Sequence, residues 1–214
     1  MAKLDDSLLS GSRGRTGRLV VANVNGIEIL KVRPKKNSKQ ISPKQELIRQ
    51  RMKDSYDFLE SYKAYASAFF GTKSGLKSCY NQAMGNLLKA FKLDYTLMEI
   101  NIDYPKIQFS KGNLLSPQPT GLTSPVAQQI KIEWYNNSGG DADRDADQVQ
   151  VLCAIENEPT TLFLQNQAER TDNEVTITLS PMISGKTVHI YIGFKDVLST
   201  AVSTSAYVGS VLVL

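Results

Sequence analysis

The hydrophobic pattern of this chain changes from a helical period to a period of two close to Leu93. Before Leu93, apolar residues recur every three or four positions over two long stretches, which predicts helices; after it, apolar and polar residues alternate in short runs, which predicts strands. The charge changes at the same place. Residues 1–92 contain 18 Lys and Arg against 7 Asp and Glu, a net of +11, whereas residues 93–214 contain 7 against 14, a net of −7. We therefore predict two modules, residues 1–92 and 93–214, that have different partners or attract each other.

The composition is that of a folded protein. Hydrophobic residues make up 41% of the 214 positions and charged residues 21%, which excludes a disordered chain. No run approaches the roughly 18 apolar residues of a membrane span, and the N-terminal segment carries Asp5 and Asp6 where a secretory signal needs an apolar stretch. We expect a protein that is cytoplasmic by default or packaged into a particle. Cys79 and Cys153 fall in a predicted helix and a predicted strand, so we expect two buried thiols rather than a disulfide.

The first module begins with a glycine- and arginine-rich segment at residues 10–18. Such a segment lacks side chains that could bury, so we expect a flexible basic arm. The next residues, LVVANVNGIEILKVRP, form two β-rich runs around Asn25-Gly26, the dipeptide that best tolerates a tight hairpin turn. Pro34 ends the second run, and residues 35–40 form a basic linker.

Two helices are predicted to follow the linker. Ser42 is placed as an N-cap, Pro43 occupies the first helical position, and Gln45 completes a capping box. This helix should end near Gly71, and a second helix should cover residues 75–91 and pack against it as a helical hairpin. The core-facing stripe of the first helix is predicted to consist of Ile48, Met52, Leu59, Tyr62, Ala66 and Phe69.

The second module reads as a β-sandwich. Its apolar runs are short, rich in β-branched and aromatic residues, and separated by clusters of Gly, Pro, Asn or Asp. The predicted strands cover residues 98–102, 106–110, 130–135, 148–155, 160–165, 174–179, 188–194 and 207–214.

From residue 129 onward the sequence resembles a fibronectin type III or immunoglobulin-like module. IKIEW places Trp134 on an early core strand, DQVQVLCAI follows, and EVTITLSPMISGKTVHIYIGF has the form of a strand, a corner and a returning strand. One position departs from the pattern, because Gly185 stands six residues after Leu179, where such modules often have a tyrosine. The resemblance implies a sandwich with a buried Trp134. The fold class expected for the whole chain is thus α+β: an N-terminal β-hairpin and helical hairpin, followed by an immunoglobulin-like or fibronectin III-like β-sandwich.

The opening of the chain also resembles an uncharacterised Bacteroidota family that is catalogued as a domain of unknown function. The resemblance is carried by glycines and basic residues near the start, by the turn, and by the end of the second strand and the helix: Gly11, Gly14, Arg15, Gly17, Asn25, Gly26, Arg33, Pro34, Gln45 and Arg49. Downstream, Tyr104, the SKGNL segment at residues 110–114, Trp134 and Asp147 fit the same pattern. This resemblance implies no activity.

The sequence offers few residues for catalysis. His189 is the only histidine, and in VHIYIG it alternates with Val188 and Ile190, so we expect a half-exposed strand residue. A hydrolytic triad or a zinc site needs further bases or ligands beside a histidine. The segment GSRGRTG also lacks the lysine and serine of a phosphate-binding loop. We expect no enzyme, no cofactor and no small-molecule substrate.

Four aspartates alternate along one loop, at Asp141, Asp143, Asp145 and Asp147. Calcium loops use such alternation because every second side chain can converge on one ion. The match ends at Ala146 and Leu152, which occupy the places of the glycine and the bidentate glutamate. A solvated acidic loop is the main interpretation, and a weak calcium site is the alternative.

The basic N-terminal segment is the candidate interaction site. We expect a non-enzymatic structural or interaction protein that binds a protein partner or another copy of itself and forms part of an assembly or particle. The alternative is a nucleic-acid-associated protein whose basic residues neutralise phosphates. In both cases the residues expected to make contact are Arg13, Arg15, Arg18, Lys31, Arg33, Lys35, Lys36 and Lys39.

Overall fold

The structure is a computed structural model that describes residues 2–24, 26–35, 40–198 and 200–214. It contains two compact units. The first comprises Met1–Ile41 with Ser74–Leu76, and the second comprises Ser42–Lys73 with Lys77–Leu214. The units are therefore divided mainly at Ser42, whereas the sequence pattern places a boundary at residues 92 and 93, and the helices belong to the same unit as the sandwich.

The first unit is built around an antiparallel sheet of four strands in the order β1-β4-β3-β2. The predicted hairpin is confirmed, since β3 and β4 pair over six residues each, from Leu19 and Val32 to Val24 and Ile27. Gly26 has a φ of 85°, which glycine adopts without strain, and its N–H donates to Asn23 Oδ1 at 2.9 Å. Asn25 lies outside the described residues. The strands are β1 (Ala2–Lys3), β2 (Gly14–Thr16), β3 (Leu19–Val24) and β4 (Ile27–Val32).

The prediction of a flexible glycine- and arginine-rich arm is wrong. Its middle forms β2, which pairs with β3 through Gly14 and Val21 and through Thr16 and Leu19. Upstream of β2, the backbone N–H of Gly11 donates to both carboxylate oxygens of Glu28, at 2.9 and 3.0 Å. Composition alone did not reveal that the segment pairs with β3 and that its backbone binds the carboxylate of Glu28.

The second unit begins with three helices: α1 (Pro43–Glu60), α2 (Lys63–Phe69) and α3 (Cys79–Ala90). The capping box at the start of α1 is confirmed, because Ser42 and Gln45 each accept a hydrogen bond from the backbone N–H of the other. The predicted first helix is in fact two, broken at residues 61 and 62, and α3 packs against both parts. Among the described helices, none is long and apolar enough to cross a membrane.

The core-facing stripe predicted for the first helix is correct only in its second half. Leu59 and Tyr62 are buried, but Ile48 and Met52 are 42% and 49% exposed. Over the first eleven residues of α1 no described residue is buried. A periodic stripe shows which side of a helix is apolar, but it does not show how far the core extends along the helix.

A short hairpin and a sandwich complete the second unit. The hairpin is followed by a 3₁₀ turn at Tyr104–Lys106 and an irregular segment, where the sequence predicted a strand over residues 106–110. The sequence analysis did not predict the first strand of the hairpin or the first strand of the sandwich. The remaining elements are β5 (Phe91–Asp94), β6 (Glu99–Ile102), β7 (Gln118–Thr123), β8 (Gln129–Tyr135), α4 (Ala142–Asp145), β9 (Gln148–Ile155), β10 (Thr161–Leu164), β11 (Glu174–Thr178), β12 (Thr187–Lys195) and β13 (Ala206–Leu212).

The sandwich consists of a three-stranded sheet, β11-β8-β7, and a four-stranded sheet, β10-β9-β12-β13. The apolar side chains of one core cluster come from both sheets, including Ile132 of β8 and Ile190 of β12, and Trp134 in the same cluster is 2% exposed. The α+β class with an immunoglobulin-like sandwich is thus confirmed.

The other face of the four-stranded sheet packs against the helices. Leu152 of β9 and Tyr191 of β12 share a second core cluster with Phe58, Leu87 and other helical residues. Strands β9 and β12 are therefore buried at nearly every position. A sheet covered on both faces reads as a continuous apolar run rather than an alternation.

Candidate interaction surface

One face of the N-terminal sheet combines positive charge with apolar side chains. Residues paired across an antiparallel ladder lie on the same face, and successive residues of a strand alternate. Arg15, Val20 and Lys31 form one row across β2, β3 and β4, and Lys3 pairs with Ile29 in the next row. We name this surface the basic face; it consists of Lys3, Arg15, Val20, Ala22, Val24, Ile27, Ile29 and Lys31.

This sheet has no core of its own. Among the described residues of Met1–Ile41, none is buried. The apolar side chains of β3 and β4 are half-buried or exposed, and Val32 is 71% exposed. Since apolar area left in water contributes nothing to stability, the sheet leaves a surface that a partner would stabilise.

Six of the eight predicted contact residues lie in the described part of the first unit, and all six are exposed. None of them has a carboxylate within ion-pair distance among the described residues. Arg18, Arg33 and Lys35 line a shallow recess of about 570 Å³ at the end of the hairpin. The other three are Arg13, Arg15 and Lys31; the predicted residues Lys36 and Lys39 lie outside the described residues.

The four alternating aspartates do not converge on one point. Asp141 caps the short helix α4, accepting from the Asp143 N–H at 3.1 Å, and its carboxylate lies 3.4 Å from Arg144 Nε. Asp145 accepts a hydrogen bond from Asn136 at 2.8 Å. Among the described residues, no three His, Cys, Asp or Glu side chains are placed to hold a metal ion. The calcium alternative therefore gains no support from the geometry.

Part of this acidic loop instead borders a recess of about 550 Å³ at one end of the sandwich. Its apolar part includes Val197 and Leu198, which are 59% and 82% exposed. Asp143 is exposed and has no cation within 4 Å among the described residues. We name this surface the acidic recess; it is lined by Leu114, Asp141, Asp143, Arg144, Ala146, Asp147, Asp196, Val197 and Leu198.

A buried ion pair lies beneath the acidic recess. Arg170 is fully buried, and its Nη2 donates to Asp147 Oδ2 at 2.7 Å. Its Nη1 donates to Asn137 Oδ1 at 2.8 Å, and its guanidinium lies 4.1 Å from the ring centre of Phe194. The sequence analysis missed Arg170, because its partner is 23 residues away and no local pattern connects the two.

The prediction that His189 is half-exposed is wrong. The side chain is 7% exposed, because Tyr104 of the 3₁₀ turn packs on this face of β12. The imidazole stacks on Tyr104 with ring centres 3.6 Å apart, and Nδ1 lies 2.9 Å from the hydroxyl of Tyr207. Its Nε2 is buried with no hydrogen-bond partner among the described residues. Burial lowers the pKa of His189, and the negative charge of Glu156 opposes that shift only in part. The histidine is therefore neutral in the folded protein near neutral pH.

Both cysteines are free thiols, but the predicted burial is correct only for Cys153. Cys153 is buried in β9, and burial raises the pKa of its thiol to about 12. Cys79 is only partly buried at the start of α3, and its Sγ lies 3.4 Å from the carbonyl oxygen of Gly71.

Comparison with known proteins places the chain in a family without a known activity. No curated protein matches it. Among solved structures, the fibronectin type III domain of the human collagen alpha-1(XX) chain is similar over 49% of this chain and 84% of that one, with 15% sequence identity and a TM-score of 0.29. The model of a family of unknown function, DUF6266, matches residues 11–209. The predicted resemblance to a family of unknown function is confirmed, and the chain belongs to the DUF6266 family.

Proposed function

We propose that this chain is a non-enzymatic interaction protein that associates with copies of itself through the basic face. The observation that carries the proposal is a four-stranded sheet in which no described residue is buried. Sheets are stabilised by packing one face against another layer. The basic face leaves Val24 exposed, and Val20, Ile27 and Ile29 are only half-buried, so this face gains stability when a partner covers it.

The chemistry of the basic face favours a protein surface over a nucleic acid. Its cations are interspersed with five apolar side chains, which have nothing to contact on a phosphate backbone. Residues 1–41 also contain no aromatic residue, whereas binding of single strands relies on bases stacked on aromatic rings. Protein interfaces combine an apolar centre with a polar rim.

A second copy supplies charge of the required sign. Residues 1–41 contain 9 Lys and Arg against 3 Asp and Glu, a net of +6, whereas the second unit contains 16 against 18, a net of −2. Within the second unit the negative charge is concentrated in residues 93–214, which carry a net charge of −7. Opposite charges on two copies accelerate their encounter and select their orientation. The association should therefore weaken as salt is added.

Sedimentation velocity of the full chain over a range of protein and salt concentrations tests this proposal. We expect reversible association that weakens with salt and is lost in the double variant Arg15→Glu with Lys31→Glu. The matched control, Arg49→Glu with Lys53→Glu, changes the charge equally on the exposed side of α1 and should associate like the parent. Circular dichroism of each variant verifies that it is folded.

A chain that stays monomeric under all conditions contradicts the proposal, as does a double variant that associates normally. Binding of the monomer to DNA or RNA, lost in the same variant, would overturn the proposal in favour of the nucleic-acid alternative.

A further inference from the structure

We infer that the acidic recess is the surface that receives the basic face of the next copy, so that copies associate head to tail. The inference rests on the proposed function and assigns the surface of the neighbouring copy that the basic face contacts. Each surface presents apolar side chains beside charges of one dominant sign, and the signs are opposite. The pairing would cover Leu198 and Val197, which are among the more exposed apolar side chains of the second unit.

The recess has a charge that is free to act on a partner. Asp141 is partly neutralised by Arg144, and Asp147 is paired with buried Arg170. Asp143 has neither kind of partner among the described residues and is exposed beside the apolar side chains. Its carboxylate is therefore available for a cation of the basic face, such as Arg15 or Lys31.

The floor of the recess is well anchored, so little order has to be gained on binding. The Arg170 N–H donates to the Asp147 carbonyl at 2.8 Å, and the Asp147 N–H donates to the Arg144 carbonyl at 3.2 Å. Together with the buried ion pair, these bonds hold α4 and its flanking loop in place. A preformed acceptor loses less entropy on association than a mobile one.

Two different surfaces in one contact determine the type of assembly. A two-fold dimer uses the same patch on both copies, whereas a head-to-tail contact generates a ring or an open chain. We therefore expect the mean mass to rise past two copies as the protein concentration increases, from the monomer mass of 23.7 kDa.

Mixing two complementary variants tests the inference directly. The first, Arg15→Glu with Lys31→Glu, has a defective basic face and an intact recess. The second, Asp143→Lys with Leu198→Lys, has an intact basic face and a defective recess. We expect each variant alone to be a monomer and the mixture to form a capped pair of about twice the monomer mass, measured by sedimentation velocity. The matched control for the second variant is Glu99→Lys with Met182→Lys, which changes the charge equally at exposed positions outside the recess.

The outcomes distinguish this inference from the proposed function. If the parent associates and the basic-face variant does not, but the recess variant associates like its control, the proposed function stands and the recess is excluded as the acceptor. If neither variant associates alone and their mixture also stays monomeric, the head-to-tail pairing is overturned. If the parent protein never associates, both the proposed function and the head-to-tail pairing are overturned.

Discussion

The described residues form two four-stranded sheets that differ in their surroundings. In the sheet β1–β4 no described residue is buried, whereas the sheet β10-β9-β12-β13 is covered by a second sheet on one face and by helices on the other. All strand pairs in both sheets are antiparallel. The difference teaches that backbone pairing defines a sheet, while burial decides whether the sheet is a scaffold or a contact surface.

The largest expected difference in stability is between two arginine substitutions, one in each unit. Arg170→Met leaves the carboxylate of Asp147 buried without its cation, which costs about 3–5 kcal/mol of unfolding free energy. Arg15→Met, on the exposed edge strand β2, should change the stability by less than about 0.5 kcal/mol. Urea unfolding followed by circular dichroism measures both.

A double variant identifies the cause of the loss at Arg170. Asp147→Leu with Arg170→Met removes both charges, and we expect it to recover much of the lost stability. If the double variant is as unstable as the single one, the contacts of the guanidinium with Phe194 and Asn137 matter more than the unpaired charge.

The next comparison removes one leucine from each sheet. Leu152 is fully buried in β9, so Leu152→Ala should cost about 2–5 kcal/mol in the unfolding of the second unit. Leu30 of β4 is only half-buried, and Leu30→Ala should cost less than about 1 kcal/mol under conditions where the chain is monomeric. An equal loss at both positions would contradict the claim that β1–β4 lacks a core.

The smallest expected effect is a pH dependence that only the covered sheet should show. The pKa of His189 is lowered by burial, so the unfolded chain binds a proton more readily than the folded one, and stability is lost as the pH falls through about 6.5. Urea midpoints at pH 7.5 and 5.5 measure this loss. His189→Phe keeps an aromatic ring against Tyr104, so it should show a smaller difference between the two pH values. An unchanged difference would assign the pH dependence to other groups.

Local signals in the sequence predicted much of this fold. The capping box at Ser42, the turn at Gly26 and most sandwich strands depend on neighbouring residues, and all are present in the structure. The strand β2 was missed because a segment of glycine and arginine has no strand propensity of its own. It is ordered by its pairing with β3, which composition does not predict.

What the sequence analysis missed depends on contacts between distant segments. His189 was expected to be half-exposed because alternation was taken to mean that one side of the strand faces solvent. The apolar run at residues 151–155 of β9 was a sign that both faces of this sheet are covered. Leu152 and Tyr191 confirm that the second face is covered, since both are buried in the core cluster that contains the helical residues. Of the candidate site, the basic residues were predicted, but the acidic recess depends on Val197 and Leu198 lying beside the aspartate loop, a proximity that separation in sequence concealed.

Burial of the central sheet on both sides also affects how the chain can change by mutation. In an ordinary half-covered strand every second position tolerates polar replacement, but in β9 and β12 both sets of alternate positions face an interior. A library of single substitutions should therefore find unbroken intolerant stretches in these two strands and broad tolerance in β3 and β4. An intolerant apolar position in β3 or β4 would then mark a residue selected for its partner rather than for folding.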